Sequence, residues 1–405
     1  MNTVALENTA IGGKSVLFLS FFITGAGFLY FVFQAVGTHP ERVWFIFLIN
    51  FLLFTGLSLG GLLFSTIMHF VGAKWSHRLS GIAEAFSFFF PVSLLLFLIV
   101  FLGRQYLFLW VFEDLHGKEV WLNIPFLMTR DLMALLTLYI LGFVYLYHSL
   151  WLRLDQSSEP SFLNRLAYKG WKSQPPDPNL IRKRLTIFAG WYMFAFAMVL
   201  SLIGYDLVMS MDPHWYSTLF GPYTFIKAVY TGFGALIILL AILHLSSSNP
   251  FSLTTKQFRD MGSLFFGFCL VWGDFFYSQF LVIWYGNIPE ETSYIIERTM
   301  THPWSYLAWA VFVLCFIMPF IVLLYGRIKE SPVSMIVICS MVIFGFWMEH
   351  FLLLGPVYLH DVDQFPLGVH EIVISAGFLG LFVLSILFYL KQFPELLKNK
   401  EVEEA

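Results

Sequence analysis

This sequence is poor in charge. Only 12% of its 405 residues are Asp, Glu, Lys or Arg, against 58% hydrophobic and 20% aromatic; a soluble domain carries roughly twice that charged share. The net charge of −3 excludes the broad basic face that nucleic-acid binding requires, so no nucleic-acid partner is expected. Cysteine is scarcer still. Cys269, Cys315 and Cys339 all fall in apolar stretches and read as small buried hydrophobes, not as disulfides or thiolate ligands. There is no CxxCH haem-attachment motif, CxxC cluster, P-loop or GxGxxG opening a βαβ unit. Covalent haem, cysteine-ligated metal and phosphate-cradling loops go with them.

What the sequence does hold is a succession of uninterrupted apolar stretches of 20 residues or more. A bilayer core of about 30 Å needs about 20 such residues in a helix, because every backbone amide must be satisfied without water. The chain is therefore read as an all-α integral membrane protein with about ten transmembrane helices. They are expected near 15–36, 43–70, 80–103, 128–152, 185–209, 221–246, 260–285, 305–327, 332–357 and 367–391. Turn signals at Gly37-Thr38-His39-Pro40, Asp212-Pro213, Ser248-Asn249-Pro250 and Ser331-Pro332 separate several of them. The first stretch is too long for a signal-peptide core and lacks a small-residue cleavage site, so it counts as a span.

Lys and Arg are unevenly shared between the loops. The even loops hold Lys74, Arg78, Arg153, Arg165, Lys169, Lys172, Arg182, Lys183, Arg184, Lys256, Arg259, Arg327 and Lys329; the odd loops hold only Arg42, Arg104, Lys118 and Arg298. The positive-inside rule places the even loops and both termini in the cytoplasm, which implies a multi-pass protein of a cell's inner membrane. The fourth loop, 154–183, is the only long polar connection on that side. Its Ser-Gln-Pro-Pro-Asp-Pro stretch excludes regular helix and leaves an inside-positive anchor or a docking site for another subunit. In the third loop, Phe108 to Phe112 reads as an interfacial helix on the outer leaflet.

Ionisable groups within spans are costly in lipid and mark function more often than not. Glu84 falls one turn into the third helix. Arg130 and Asp131 open the fourth on the outer side, Asp206 ends the fifth, and Lys227 lies one to two turns into the sixth. Asp274 is close to the middle of the seventh, and Glu349 and His350 lie just outward of the centre of the ninth. His148 and His244 approach the inner ends of the fourth and sixth. Groups near an interface can snorkel, but Asp274 and Glu349 are too deep and too short for that. They must be protonated, line a wet cavity, or pair with a cation such as Lys227. Arg130, Thr137 and His148 return to nearly one helical face, as do Tyr223, Lys227, Tyr230 and Thr231, and as do Asp274, Tyr277 and Ser278. Acids, imidazoles, an amine and hydroxyls along facing helices are what a proton relay requires. A bis-His haem would need two imidazoles face to face. His148 and His244 share a depth, but neither helix offers the small residues that admit a porphyrin edge, so no cofactor or metal is expected on this chain.

Two segments carry a resemblance. GYDLVMSMDPHWYSTLFGPY over 204–223 and YSQFLVIWYGNIPEET over 277–292 are similar to the membrane subunits of bacterial alternative complex III, within the wider NrfD/polysulfide-reductase anchor family. The ten-helix layout agrees over essentially the whole chain. That complex has two homologous subunits of this type. A length near 400 residues, and no Trp-Gly-Ile-Asn-Asn-Pro-type segment before the second helix, resemble the shorter one rather than the quinol-binding anchor.

The resemblance implies a single polytopic domain over 1–405. It comprises a flanking helix 1 (1–42), a four-helix bundle of helices 2–5 (43–210), a second of helices 6–9 (211–358), and a flanking helix 10 with its tail (359–405). It implies a non-redox subunit of a quinol:cytochrome c or quinol:oxidase oxidoreductase, contributing to proton translocation and complex assembly. Iron–sulfur clusters, haem c and quinol would then sit in partner subunits: a homologous quinol-binding membrane subunit, an iron–sulfur subunit, multihaem cytochrome c subunits and a terminal oxidase, with lipids around them. The candidate relay residues are Glu84, Arg130, Asp131, His148, Asp206, Lys227, His244, Asp274, Tyr277, Glu349 and His350. A quinol-binding anchor is the alternative within this class. A secondary transporter is the alternative outside it, although Pro91, Pro319 and Pro356 do not form the mirrored pattern of broken helices that such proteins show.

Overall fold

The computed structural model describes residues 13–37, 40–115, 117–153, 177–246, 251–359 and 367–397. Among them no residue is in a strand, and ten helices are long and apolar enough to span a bilayer. We number these spans α1 (Lys14–Ala35), α2 (Pro40–Phe70), α3 (Lys74–Leu102), α4 (Ile124–Arg153), α5 (Pro178–Met211), α6 (Phe220–Leu245), α7 (Thr255–Gly286), α8 (Trp304–Leu323), α9 (Pro332–Tyr358) and α10 (Val369–Gln392). The chain is a multi-pass membrane protein. Most helix ends fall within a few residues of expectation. The largest shift is at α5, which begins at Pro178 because Asp177 caps it, its side chain accepting from the Asn179 amide at 3.0 Å. Of the long basic loop, 154–176 lies outside the described residues.

α2 is the axis of the molecule: 94% of its apolar window is buried, against 17% for α1 and 22% for α7. α2–α5 pack on one another, as do α6–α9, while α1 packs chiefly on α10. The two groups meet where α2 crosses α6. A Cβ on Gly60 would lie 2.0 Å from the Ala228 carbonyl oxygen, and one on Gly232 would lie 2.5 Å from the Gly60 carbonyl carbon. Backbone touches backbone there, the close approach that small residues permit between membrane helices. Gly27 and Gly377 do the same for α1 and α10.

Two spans are irregular within their length, each beside a proline. α3 tightens to a 3₁₀ helix over Glu84–Phe89 before Pro91. α8 widens to a π-helix over Val313–Ile317 before Pro319. Proline has no N–H to give the carbonyl four residues back. At α8 that carbonyl is Cys315 O, which accepts from Tyr230 Oη at 3.4 Å and from Cys269 Sγ at 3.8 Å.

The third loop differs from expectation. Leu109–Phe112 is one short 3₁₀ turn, and Leu107, Phe108 and Trp110 are buried in the protein rather than laid on a leaflet. Tyr358 Oη holds the turn in place by donating to Leu107 O at 2.5 Å. The seventh loop contains an amphipathic helix, Pro289–Met300. Its Pro at the first position and its acids in the first turn are a start signal that the sequence displays openly. Tyr294 of this helix stacks on Trp215 at 3.8 Å. Arg298 lies over the Tyr294 ring at 3.3 Å and donates to Leu353 O at 2.9 and 3.2 Å.

Candidate functional site

Among the described residues, three clusters of buried ionisable groups lie inside the helix groups. The first is near the Lys/Arg-rich end of α2–α5. The 3₁₀ turn of α3 delivers Glu84, wholly buried, against α2 and α4. Its Oε1 accepts from Ser149 Oγ at 2.5 Å and Ser65 Oγ at 3.0 Å, with Arg153 Nε at 3.5 Å. Arg153, the last residue of α4, also donates to Ser149 Oγ at 3.0 Å and to the His77 carbonyl. Tyr145 Oη lies 2.9 Å from Ser65 Oγ.

The second cluster is near the opposite end of the same group. Arg130 grips Asp206 bidentately, Nε to Oδ2 at 2.6 Å and Nη2 to Oδ1 at 2.7 Å. Trp121 Nε1 adds a third bond to Asp206 at 3.1 Å, and its ring lies 4.0 Å beneath the guanidinium. Asp131 is wholly buried beside Asp206, and neither of its oxygens has a hydrogen-bond donor.

Between these two clusters, hydroxyls continue along α4. Ser93 Oγ bridges Tyr139 Oη at 2.8 Å and Thr55 Oγ1 at 2.6 Å. Asp131, Tyr139, Tyr145 and Ser149 recur at helical spacing on the buried face of α4. From Asp131 to Ser149 this stripe runs about 27 Å, close to the thickness of a bilayer core.

The third cluster belongs to α6 and α9. Lys227 Nζ lies 2.9 Å from Glu349 Oε2 in a charge contact without the alignment of a hydrogen bond. Tyr223, one turn away on α6, donates its hydroxyl to Glu349 Oε1. His350 Nδ1 engages the Phe346 carbonyl at 2.7 Å. All four side chains are buried. A cavity of about 30 Å³ opens beside them, lined by Lys227, His350, Thr224 and Thr231 from one helix group and by Thr55 and Leu135 from the other. It has room for about two waters, with polar partners to hold them. Through Thr55 it reaches the Ser93–Tyr139 hydroxyls.

Lys227 thus pairs with Glu349, and the sequence alternative of Asp274 is not its partner. Asp274 and Tyr277 lie on the exposed side of α7. Thr137 is also exposed, bonded to Met133 O at 2.8 Å. The buried face of α4 is therefore centred on Asp131 and Tyr139; of the Arg130–Thr137–His148 set, only the two ends are turned inward. His148 engages Val144 O at 2.7 Å and stacks on Phe188. His244 accepts from the Leu253 amide at 3.1 Å and packs on Phe258. The two imidazoles are each occupied locally and do not face one another. Sequence reasoning missed Arg153, which it counted as a loop cation, and the hydroxyls of Ser65, Ser93, Tyr139, Tyr145 and Ser149. For Tyr139, Tyr145 and Ser149 the only signal was recurrence with Asp131 along one face of α4, and Ser65 and Ser93 on α2 and α3 had none.

Among the described residues no three His, Cys, Asp or Glu side chains converge as a metal site. The three thiols are buried and unoxidised, with Cys269 and Cys315 turned to backbone carbonyls. A cavity of about 750 Å³ beside α10 is apolar apart from Asn50, Ser340 and Ser375 and touches none of the three clusters. What the clusters offer is proton chemistry: acids, phenols and alcohols in sequence, with room for water at the seam.

Residues 35–361, most of the chain, match the model of a protein family described as polysulphide reductase, NrfD. No curated protein matches the chain.

Proposed function

Given that the chain belongs to the NrfD polysulphide reductase family, whose members are membrane subunits without redox centres in respiratory oxidoreductases and associate with iron–sulfur and other redox subunits, we propose that it is the shorter membrane subunit of an alternative complex III. In this reading it sits in a bacterial inner membrane with both ends in the cytoplasm. Quinol, iron–sulfur clusters and haem c belong to its partners, and its own part is to move protons as the complex oxidises quinol. The Lys227–Glu349 pair beside the seam cavity is the observation that carries this reading. An acid held between an amine and a phenol, with the amine itself lining room for water, can take up and release a proton through that amine.

The residues divide the path. Glu84 and Ser149 serve the cytoplasmic end of the first helix group, and Tyr145, Tyr139 and Ser93 its middle. Asp131 and Asp206 serve the outer end, and Thr55 with the cavity ties in Lys227 and Glu349. The test is Glu349→Gln in the purified complex, reconstituted in liposomes, with protons counted per electron. The expected result is a lowered proton count with quinol oxidation retained. An unchanged count in a fully assembled complex reduces the chain to a scaffold.

A further inference from the structure

Asp274 lies about 5 Å from the midpoint of α7, a helix about 48 Å long. It is exposed, and among the described residues it has neither a hydrogen bond nor an ion pair. A carboxyl facing acyl chains at that depth is costly, and Asp is too short to snorkel to an interface from mid-span. This side chain is therefore not finished within the chain that carries it.

Its surroundings are shaped for a neighbour. Ser263, Gly267, Leu270, Asp274, Ser278 and Leu281 follow at intervals of four, three, four, four and three residues, so they form one stripe along the outer side of α7. A Cβ on Gly267 would meet nothing within 4 Å, so a second helix can approach the backbone at that point. Small and hydroxyl residues flanking one strongly polar group make a membrane-helix interface, where polar contacts replace the missing hydrophobic drive.

We infer that this stripe is the docking face for a transmembrane helix of another subunit, which presents a cationic or hydroxyl donor opposite Asp274. Charge selects that occupant. A lipid tail has no donor to offer at mid-depth. A second copy of this chain, related by a twofold axis along the membrane normal, would bring Asp274 against Asp274, and the stripe contains no Lys, Arg or His to separate them. The interface does not depend on the proton-moving role proposed above.

A benzoyl-phenylalanine at Leu270, introduced into the intact complex in its native membrane, tests the contact. Phe194, which is 61% exposed on α5, serves as the comparison position. After irradiation, the Leu270 probe is expected to be joined to a transmembrane peptide of a different subunit bearing a donor side chain within one turn of the adduct. Asp274→Leu should lower recovery of the assembled complex at least fivefold while the chain stays in the membrane, and Asp274→Asn should lower it less. Adducts to lipid alone at Leu270, or to a second copy of this chain, overturn the inference. So does full recovery of the complex with Asp274→Leu, since a leucine facing lipid would be harmless.

Discussion

Lys227 and Glu349 approach within 2.9 Å between α6 and α9, both almost fully withdrawn from solvent. A buried pair of this kind is far more sensitive to losing one member than to losing both. Removing one partner strands a charge and costs about 3–5 kcal/mol, while replacing both with apolar groups is near neutral. Lys227→Met and Glu349→Leu are each expected to lower the melting temperature of the protein in nanodiscs. The double variant should recover most of the loss. Additive losses would mean that the two groups act separately.

Arg130 precedes Asp131 in the chain but bonds Asp206. Arg130→Gln is expected to destabilise the α4–α5 contact by about 2 kcal/mol, because charge-assisted bidentate bonds are among the stronger ones. Asp131→Asn should be nearly silent in the wild type, since neither Asp131 oxygen has a donor to lose, and it should partly rescue Arg130→Gln by removing one of two adjacent acids. Denaturant titration of the four proteins measures this. Equal losses for Asp131→Asn and Asp206→Asn would contradict it.

Tyr294 lies in the Pro289–Met300 helix, outside the spans. Burial pushes its phenol up to about 12, opposed only in part by Arg298. Below pH 10 the phenol is neutral whether the chain is folded or unfolded. Between pH 10 and 12 the unfolded chain ionises first, and the contribution of the buried phenol to stability is lost. Wild type is expected to lose stability across that window more steeply than Tyr294→Phe, by at most about 1.4 kcal/mol per pH unit. Parallel pH curves for the two proteins would count against a buried neutral phenol.

The glycine crossing of α2 and α6 predicts a sharp contrast between positions. Gly60→Ala drives a methyl into the Ala228 carbonyl and is expected to reduce folded yield severalfold. Gly25→Ala, where the new Cβ meets nothing within 4 Å, should leave yield unchanged. Fluorescence-detected size exclusion of both variants reads the difference.

The ten spans were legible because bilayer solvation acts on each helix alone: a run of apolar residues is self-sufficient evidence wherever the helix ends up. Partnership was not legible for the opposite reason. Glu349 was recognisably too deep to stand unpaired and Lys227 was a candidate cation for it, yet Asp274 was an equal claimant, because the choice depends on how α6 crosses α7 and α9. Arg153 shows the same limit. Its position at a helix end reads as an anchor, and only the 3₁₀ turn that carries Glu84 around to α4 gives it a second task. On α4 the spacing of 130, 137 and 148 picked two inward-turned ends, but its middle member Thr137 is exposed and the buried stripe centres on Asp131. Hydroxyl groups such as Tyr139 and Ser149 satisfy packing and hydrogen bonding alike, so they leave little trace in a composition.

At the meeting of Gly60 and Gly232 no side chain is interposed between the two helices. A seam of that kind behaves as a weld. Alternating-access carriers rock one half against the other across an interface whose side chains can slide and re-engage, and main chain pressed on main chain supplies no such bearing. Whatever passes between the two halves of this molecule must therefore be small enough to travel through a rigid joint.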